Sequence, residues 1–179
     1  MIISSVQFPR LYGLHPVIDD TSQVLIVGSF PSTISLQKSQ YYANPRNDFW
    51  KIMEVVIGMP HGLQYQTRID YLLSQGIALW DVVSSCTRVG SADATIRDPN
   101  PASIGSLLIR YPAIRAIFCN GRRAETGLVH AMTHEQSDVH PDQVHIGYIP
   151  SSSPAHAIKF QEKCRSWLVI RDFLALTSV

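Results

Sequence analysis

The chain has 179 residues, 45% hydrophobic and 16% charged, which is enough apolar material for one domain with a buried core and rules out a disordered chain. Its net charge of +1, from 15 basic and 14 acidic residues, excludes a globally basic nucleic-acid binder, so any such binding must rest on a local patch. No apolar run reaches the roughly 18 residues of a membrane helix, and the opening MIISSVQFPRLYG lacks the layout of a secretory signal. The expectation is a soluble, cytoplasmic single domain over 1–179, with its core at about 20–175.

In chain order, the short β-branched run 24–27 predicts a buried strand. Residues 48–57, apolar at 49, 50, 52, 53, 56 and 57, predict a helix. Further strands are expected at 77–80, 114–118 and 144–149. Between them fall helices at 103–109, bounded by Pro101 and Pro112, and at 122–133, just after Gly121. The last segment, 160–176, sets Phe160, Cys164, Trp167, Leu168 and Phe173 or Leu174 along one helical stripe. Strands alternating with helices argue for a layered α/β domain with a mainly parallel central sheet. In such sheets ligands sit beyond the carboxyl ends of the strands, where this chain is rich in Gly, Ser, Asn, Pro and Arg.

The three cysteines, Cys86, Cys119 and Cys164, are widely spaced and odd in number, so reduced thiols are expected rather than disulfides or a metal centre. His130 and His134 stand at helical spacing without a third ligand nearby, so no metal is implied. After the first strand, 28–35 forms a tight turn able to expose backbone N–H donors, without the Lys of a nucleotide P-loop. Tyr41 and Tyr42 then offer flat faces for a base or sugar, and Asn44 and Asn47 offer amides. The plainer alternative is a loop in which Tyr fills the core edge and Asn47 caps a helix. The run Pro150-Ser151-Ser152-Ser153-Pro154-Ala155-His156 suits a phosphate at a helix entrance, or is simply a capped connection. Arg122 and Arg123 could hold phosphate or form a solvated pair, and Asp81, Arg88 and Asp93 could pair with one another or touch substrate. No Ser-His-Asp order and no Gly-x-Ser-x-Gly elbow is present.

Taken together, several segments resemble the uracil-DNA glycosylase superfamily, and within it the hypoxanthine-DNA (deoxyinosine) glycosylase branch. They are Gly28-Ser29-Phe30-Pro31-Ser32, Tyr41-Tyr42-Ala43-Asn44-Pro45-Arg46-Asn47-Asp48-Phe49-Trp50, Leu79-Trp80-Asp81-Val82, Cys86-x-Arg88-x-Gly90-Ser91-x-Asp93, Asn120-Gly121 and Pro150-Ser151-Ser152-Ser153-Pro154. The resemblance implies a three-layer α/β/α domain around a mainly parallel four-stranded sheet. It implies a monofunctional enzyme, without metal or other cofactor, that flips a deaminated base from DNA and hydrolyses its N-glycosidic bond in base excision repair. Hypoxanthine is the first expected base, with uracil and xanthine as side activities.

Where similar glycosylases carry a catalytic Asn in the first motif, this chain has Phe30. Asn44, at the position of a family His, is the expected replacement for orienting water, and Asn47 is the second candidate. Tyr42 falls at the base-stacking position. Gly28, Ser29, Phe30, Ser32 and Asn120 are expected around the base, with backbone N–H groups of Phe30 or Ser32 stabilising its departure. Ser151, Ser152 and Ser153 would grip phosphates, and His156 would fill the vacated space, since Ala155 is too small. Arg122 would add a DNA contact. DNA containing deaminated bases is the expected partner of a monomer. Two other classes stay open: a catalytically silent binder of damaged DNA, and a hydrolase of free nucleosides.

Overall fold

A computed structural model of the protein describes residues 9–135 and 144–174. The elements run β1 (Arg10–Tyr12), β2 (Val24–Gly28), α1 (Thr33–Lys38), α2 (Phe49–Val56), α3 (Tyr65–Ser74), β3 (Ile77–Asp81) and β4 (Val83–Thr87). After these come β5 (Arg97–Pro101), α4 (Ile104–Arg110), β6 (Ala116–Asn120), α5 (Arg122–His134), β7 (His145–Ile149) and α6 (Phe160–Trp167).

Four strands form the expected parallel sheet in the order β3-β2-β6-β7. β2 is buried along its whole length, as a central parallel strand covered on both faces must be. Its side chains alternate between two cores. Val24 and Ile26 meet Phe49, Ile52 and Met53 of α2 and Trp167 of α6, whereas Leu25 and Val27 meet Leu107 and Leu108 of α4 and Ala124 and Leu128 of α5. The result is three layers, helices on either side of the sheet. The chain leaves β2 for one neighbour, β3, and later returns to the other, β6, so the loops after β2 and β6 part above the sheet's carboxyl edge. Register aligns that edge, with Gly28 beside Asp81 and Asn120 beside Ile149.

A second sheet, absent from the expected elements, pairs β1, β4 and β5 antiparallel in the order β1-β4-β5. Its third strand, Arg-Asp-Pro-Asn-Pro, reads as loop because proline cannot donate to a ladder. It is tolerated at an exposed edge where β4 runs with register shifts. This sheet and α1 enclose a third small core of Phe30, Cys86 and Ile96. The helices α1 and α3 are likewise additions to the expected set. The strand expected at 114–118 lies two residues later, because Ile114 is taken into a turn closed by Tyr111, and this carries the strand on to Asn120. The last helix ends at Trp167, whose indole N–H donates to the Pro150 carbonyl at 2.8 Å. Leu168–Phe173 then winds more tightly, turning Ile170 inward and stacking Phe173 on His145 at 4.5 Å. Positions 175 and 176 of the expected helix lie outside the described residues. Among the described residues no helix is long and apolar enough to cross a membrane.

Candidate active site

Above the carboxyl edge lies a cleft of about 440 Å³, bordered by the segments that follow β2, β4 and β7 and by Asp81 and Asn120, the last residues of β3 and β6. Its floor is a polar network built on Asn120. The Asn120 amide nitrogen donates to the Tyr42 hydroxyl at 3.1 Å and to Ser152 Oγ at 3.0 Å, and its carbonyl accepts from the Ser152 backbone N–H at 2.8 Å. Every polar atom of that side chain is therefore used, as a buried amide requires. Gly121 follows with φ of +95°, and a Cβ there would sit 2.9 Å from Ser151 Cβ, so only glycine lets β6 turn under the serine loop.

Tyr42 forms one wall. Its backbone is left-handed, with φ of 53°, a strained state for a tyrosine. Two contacts hold it there: the bond from Asn120 and a parallel stack on Phe49, with centroids 3.8 Å apart and planes at 10°. With one face on Phe49, the ring borders the cleft with the other. Burial and the nearby Asp81 carboxyl push its hydroxyl well above the ordinary tyrosine range, so it stays a neutral phenol.

Asn44 and Asn47 both line the same cleft. Each amide oxygen closes a local turn: Asn44 Oδ1 accepts from the Arg46 N–H at 3.0 Å, and Asn47 Oδ1 from the Phe49 N–H at 3.0 Å. Asn47 is thus both a start signal for α2 and a cleft residue. Among the described residues no protein acceptor takes either amide N–H₂ group, so both keep donors for a ligand. Ser35 ties this segment to the first loop, accepting from the Ala43 N–H at 3.2 Å while bonded to Ser32 Oγ at 3.0 Å.

Asp81 sits on the floor, 5% exposed, and its Oδ2 has no hydrogen-bond partner. Burial, with the Asp93 carboxylate adding to it and the Arg88 guanidinium opposing, pushes its pKa up to about 7. The ion pair entertained among Asp81, Arg88 and Asp93 does not form among the described residues. Arg88 instead donates to the Pro31 carbonyl at 2.6 Å and lies over the Phe30 ring, and Asp93 accepts from Ser29 Oγ at 2.8 Å.

A family profile described as the uracil DNA glycosylase superfamily matches residues 15–176. The chain belongs to the uracil DNA glycosylase superfamily. Among named relatives, a hypoxanthine DNA glycosylase of Methanosarcina barkeri is 35% identical over 113 residues, which are 63% of this chain and 72% of that protein. A hypoxanthine DNA glycosylase of Methanosarcina acetivorans is 38% identical over 113 residues, again 63% and 72% of the two chains. The solution structure of a candidate uracil DNA glycosylase from Methanosarcina acetivorans superposes with a TM-score of 0.74 at 31% identity, covering 90% of this chain and 96% of that one.

The cleft gathers most of the residues expected from sequence: Gly28, Ser29, Phe30, Ser32, Tyr42, Asn44, Asn47, Asn120, the three serines, Ala155 and His156 all border it. Phe30 offers the group expected of it, whereas Ser152 and Arg122 are placed differently from their expected uses. The Phe30 side chain packs into the small third core, 6% exposed, so its offering to a ligand is its backbone N–H, which among the described residues has no acceptor. Ser152, expected at a phosphate, is 1% exposed and bonded to Asn120, which leaves Ser151 and Ser153 as the half-exposed serines of that loop. Arg122 stays outside the cleft, paired with Glu125 at 2.7 Å and lying over the Tyr148 ring. Ser35 joins the site without having been singled out for it, and Asp81, weighed for either an ion pair or a substrate contact, lies in the cleft. Asp81 had a legible signal, an acidic residue ending an apolar strand at the sheet's carboxyl edge.

Proposed function

We propose that the protein is a monofunctional DNA glycosylase of base excision repair that flips hypoxanthine from DNA and hydrolyses its bond to deoxyribose, with uracil and xanthine as lesser substrates. The observation that carries this is the pairing of Tyr42, an aromatic wall braced from behind by Phe49, with two amides that keep free donors in one cleft. A cleft of about 440 Å³ has room for a base with part of its sugar. The names of the two Methanosarcina relatives support hypoxanthine as the base.

In this scheme the base stacks on Tyr42, and Asn44 orients the water that attacks C1′, with Asn47 beside it. Asn120 and Ser152 hold Tyr42 and the floor in place, while the N–H groups of Phe30 and Ser32 face the departing purine with Gly28 and Ser29 alongside. Ser151, Ser153 and Arg122 contact phosphates, and His156 enters the space the base has left, Ala155 being too short. The protein works as a monomer in the cytoplasm, a reducing setting suited to its three buried free thiols.

The test is base release from labelled duplexes carrying one hypoxanthine, uracil or xanthine, read as alkali-sensitive breaks. Release from hypoxanthine DNA in preference to free deoxyinosine supports the proposal. Binding without release would make the protein a damage binder, and cleavage of the free nucleoside alone would make it a nucleosidase.

Gly28 gives a second, sharper prediction. A Cβ at this position would lie 2.4 Å from Asp81 Oδ1 and 3.4 Å from the Tyr42 hydroxyl. Gly28→Ala therefore displaces the Asp81 carboxyl on the cleft floor, and displacements of this size cost about 100-fold in rate. Single-turnover release should fall by that order, while far-ultraviolet circular dichroism stays that of the wild type.

A further inference from the structure

Among the described residues Asp81 is the one buried carboxyl in the cleft with an oxygen that has no hydrogen-bond partner. It is 5% exposed, Oδ2 meets no protein donor or acceptor, and Oδ1 is pressed against Gly28, where no Cβ could fit. A buried carboxylate needs a cation or several donors to offset its lost hydration. Among the described residues Asp81 forms no ion pair and its Oδ2 receives no hydrogen bond, the Arg88 guanidinium acting on it only from a distance. A protonated carboxyl in the same place needs only one acceptor for its O–H, and a deaminated base brings that acceptor as a ring carbonyl. Adenine, the parent of hypoxanthine, carries an amino group there.

Resting on the glycosylase function proposed above, we infer that Asp81 is a catalytic residue that acts in its protonated form, donating a hydrogen bond to the carbonyl oxygen of the flipped base. The bond strengthens as the base leaves. When C1′–N9 of deoxyinosine breaks, the electron pair goes to the purine and spreads onto its carbonyl oxygen, the atom that receives the Asp81 hydrogen bond. Water supplies the new bond to C1′, and the proton it releases is the one the purine finally takes. Asp81 ends with the proton it began with. Ionised, the same side chain would lack the donor and repel the developing negative charge, so deprotonation switches the enzyme off.

The surroundings favour the neutral form. Asp93, from the turn after β4, adds negative charge, and the neutral phenols of Tyr41 and Tyr42 face Asp81 from the loop before α2. Arg88 opposes them from a distance: one guanidinium nitrogen donates to the Pro31 carbonyl and the group lies over the Phe30 ring, while its Nε and Nη1 have no hydrogen-bond partner and form no ion pair with Asp81. His156 borders the cleft from the loop after β7. The balance raises the Asp81 pKa to about 7, inside the working range of a cell.

The test compares wild type, Asp81→Asn and Asp81→Ala in single-turnover release of hypoxanthine between pH 5.5 and 9. Wild type should lose activity about tenfold per pH unit above 7, reaching about 100-fold at pH 9, as the neutral fraction falls. Asp81→Asn keeps an N–H donor without a titrating proton. It should hold within about threefold of wild type at pH 6, show no alkaline fall, and overtake wild type above pH 8. Asp81→Ala should be slower by about 100-fold at pH 6 with DNA binding retained. Thermal melts supply a readout independent of activity. With its folded pKa above the unfolded value, Asp81 destabilises the wild type progressively as pH rises from 4 to 7, so the melting advantage of Asp81→Asn should widen over that window and then level. A wild-type rate that climbs through pH 7, or an Asp81→Asn enzyme as slow as Asp81→Ala, would overturn the inference alone. A wild type that releases no base at any pH would overturn the proposed function and this inference with it.

Discussion

Asn44→Ala is expected to slow single-turnover release of hypoxanthine by about 100- to 1000-fold, the range seen when one positioned polar group is removed from a developing charge. Binding to the same duplex should change by no more than about threefold. The two effects separate because of what Asn44 does in the free protein. Its amide oxygen holds only the Arg46 N–H, in a solvent-facing turn, and its N–H₂ group has no protein acceptor among the described residues. Truncation therefore removes a group from the cleft without removing a strut from the fold. Asn47 is the useful contrast. Its oxygen fixes the first free N–H of α2 at Phe49, whose ring braces Tyr42, so Asn47→Ala should cost about 1 kcal/mol of stability as a lost hydrogen bond and weaken the stacking wall with it. Rates and melts for the two variants settle the assignment. A slow, stable Asn44→Ala beside a less slow, less stable Asn47→Ala supports Asn44 as the water-positioning residue. A reversal of the rate effects would move that role to Asn47.

The two central strands were legible because a central parallel strand must be apolar on both faces, and Val24–Gly28 and Ala116–Asn120 are continuous buried runs of that kind. The helix at Phe49–Val56 was legible through its spacing, since five of its eight residues are buried. The antiparallel sheet was not legible. Its strand Arg97–Pro101 is exposed along nearly all its length, holds two prolines and is defined by pairing with Val83–Thr87, a contact that no local pattern encodes. The cleft residues were found in the loops after strand ends, yet their uses needed coordinates. Ser151, Ser152 and Ser153 are identical in sequence, and only the meeting with Asn120 from another strand turns the middle one inward. Asp81 and Arg88 look like a ready ion pair in one dimension. In three, the arginine is drawn to a carbonyl and an aromatic face, and the carboxyl is left facing the cleft.

Lys163→Met is expected to be the most destabilising change near the cleft. Lys163 is 2% exposed on α6, and its ammonium bridges Asp48 Oδ2 at 2.8 Å and the Ser153 carbonyl at 3.2 Å. The Asp48 N–H in turn donates to the Ser152 carbonyl at 3.0 Å, so one lysine clamps the asparagine loop to the serine loop. Removing one member of a buried pair costs about 3–5 kcal/mol, because the survivor stays desolvated without its partner. Asp48 keeps 23% of its side-chain surface in water, which places the cost at about 3 kcal/mol, or roughly 6–12 °C in melting temperature for a domain of this size. Thermal melts of Lys163→Met, Asp48→Asn and the double variant check this. The double variant should recover part of the loss, since Asn leaves no stranded charge, and a Lys163→Met protein melting within about 2 °C of wild type would show that the clamp carries no weight. The same substitution should lower activity at temperatures well below the melt. Asn47 precedes Asp48, and Ser153 is held through its carbonyl, so loss of the ammonium loosens the two walls between which the base must sit before the sheet beneath them feels any change.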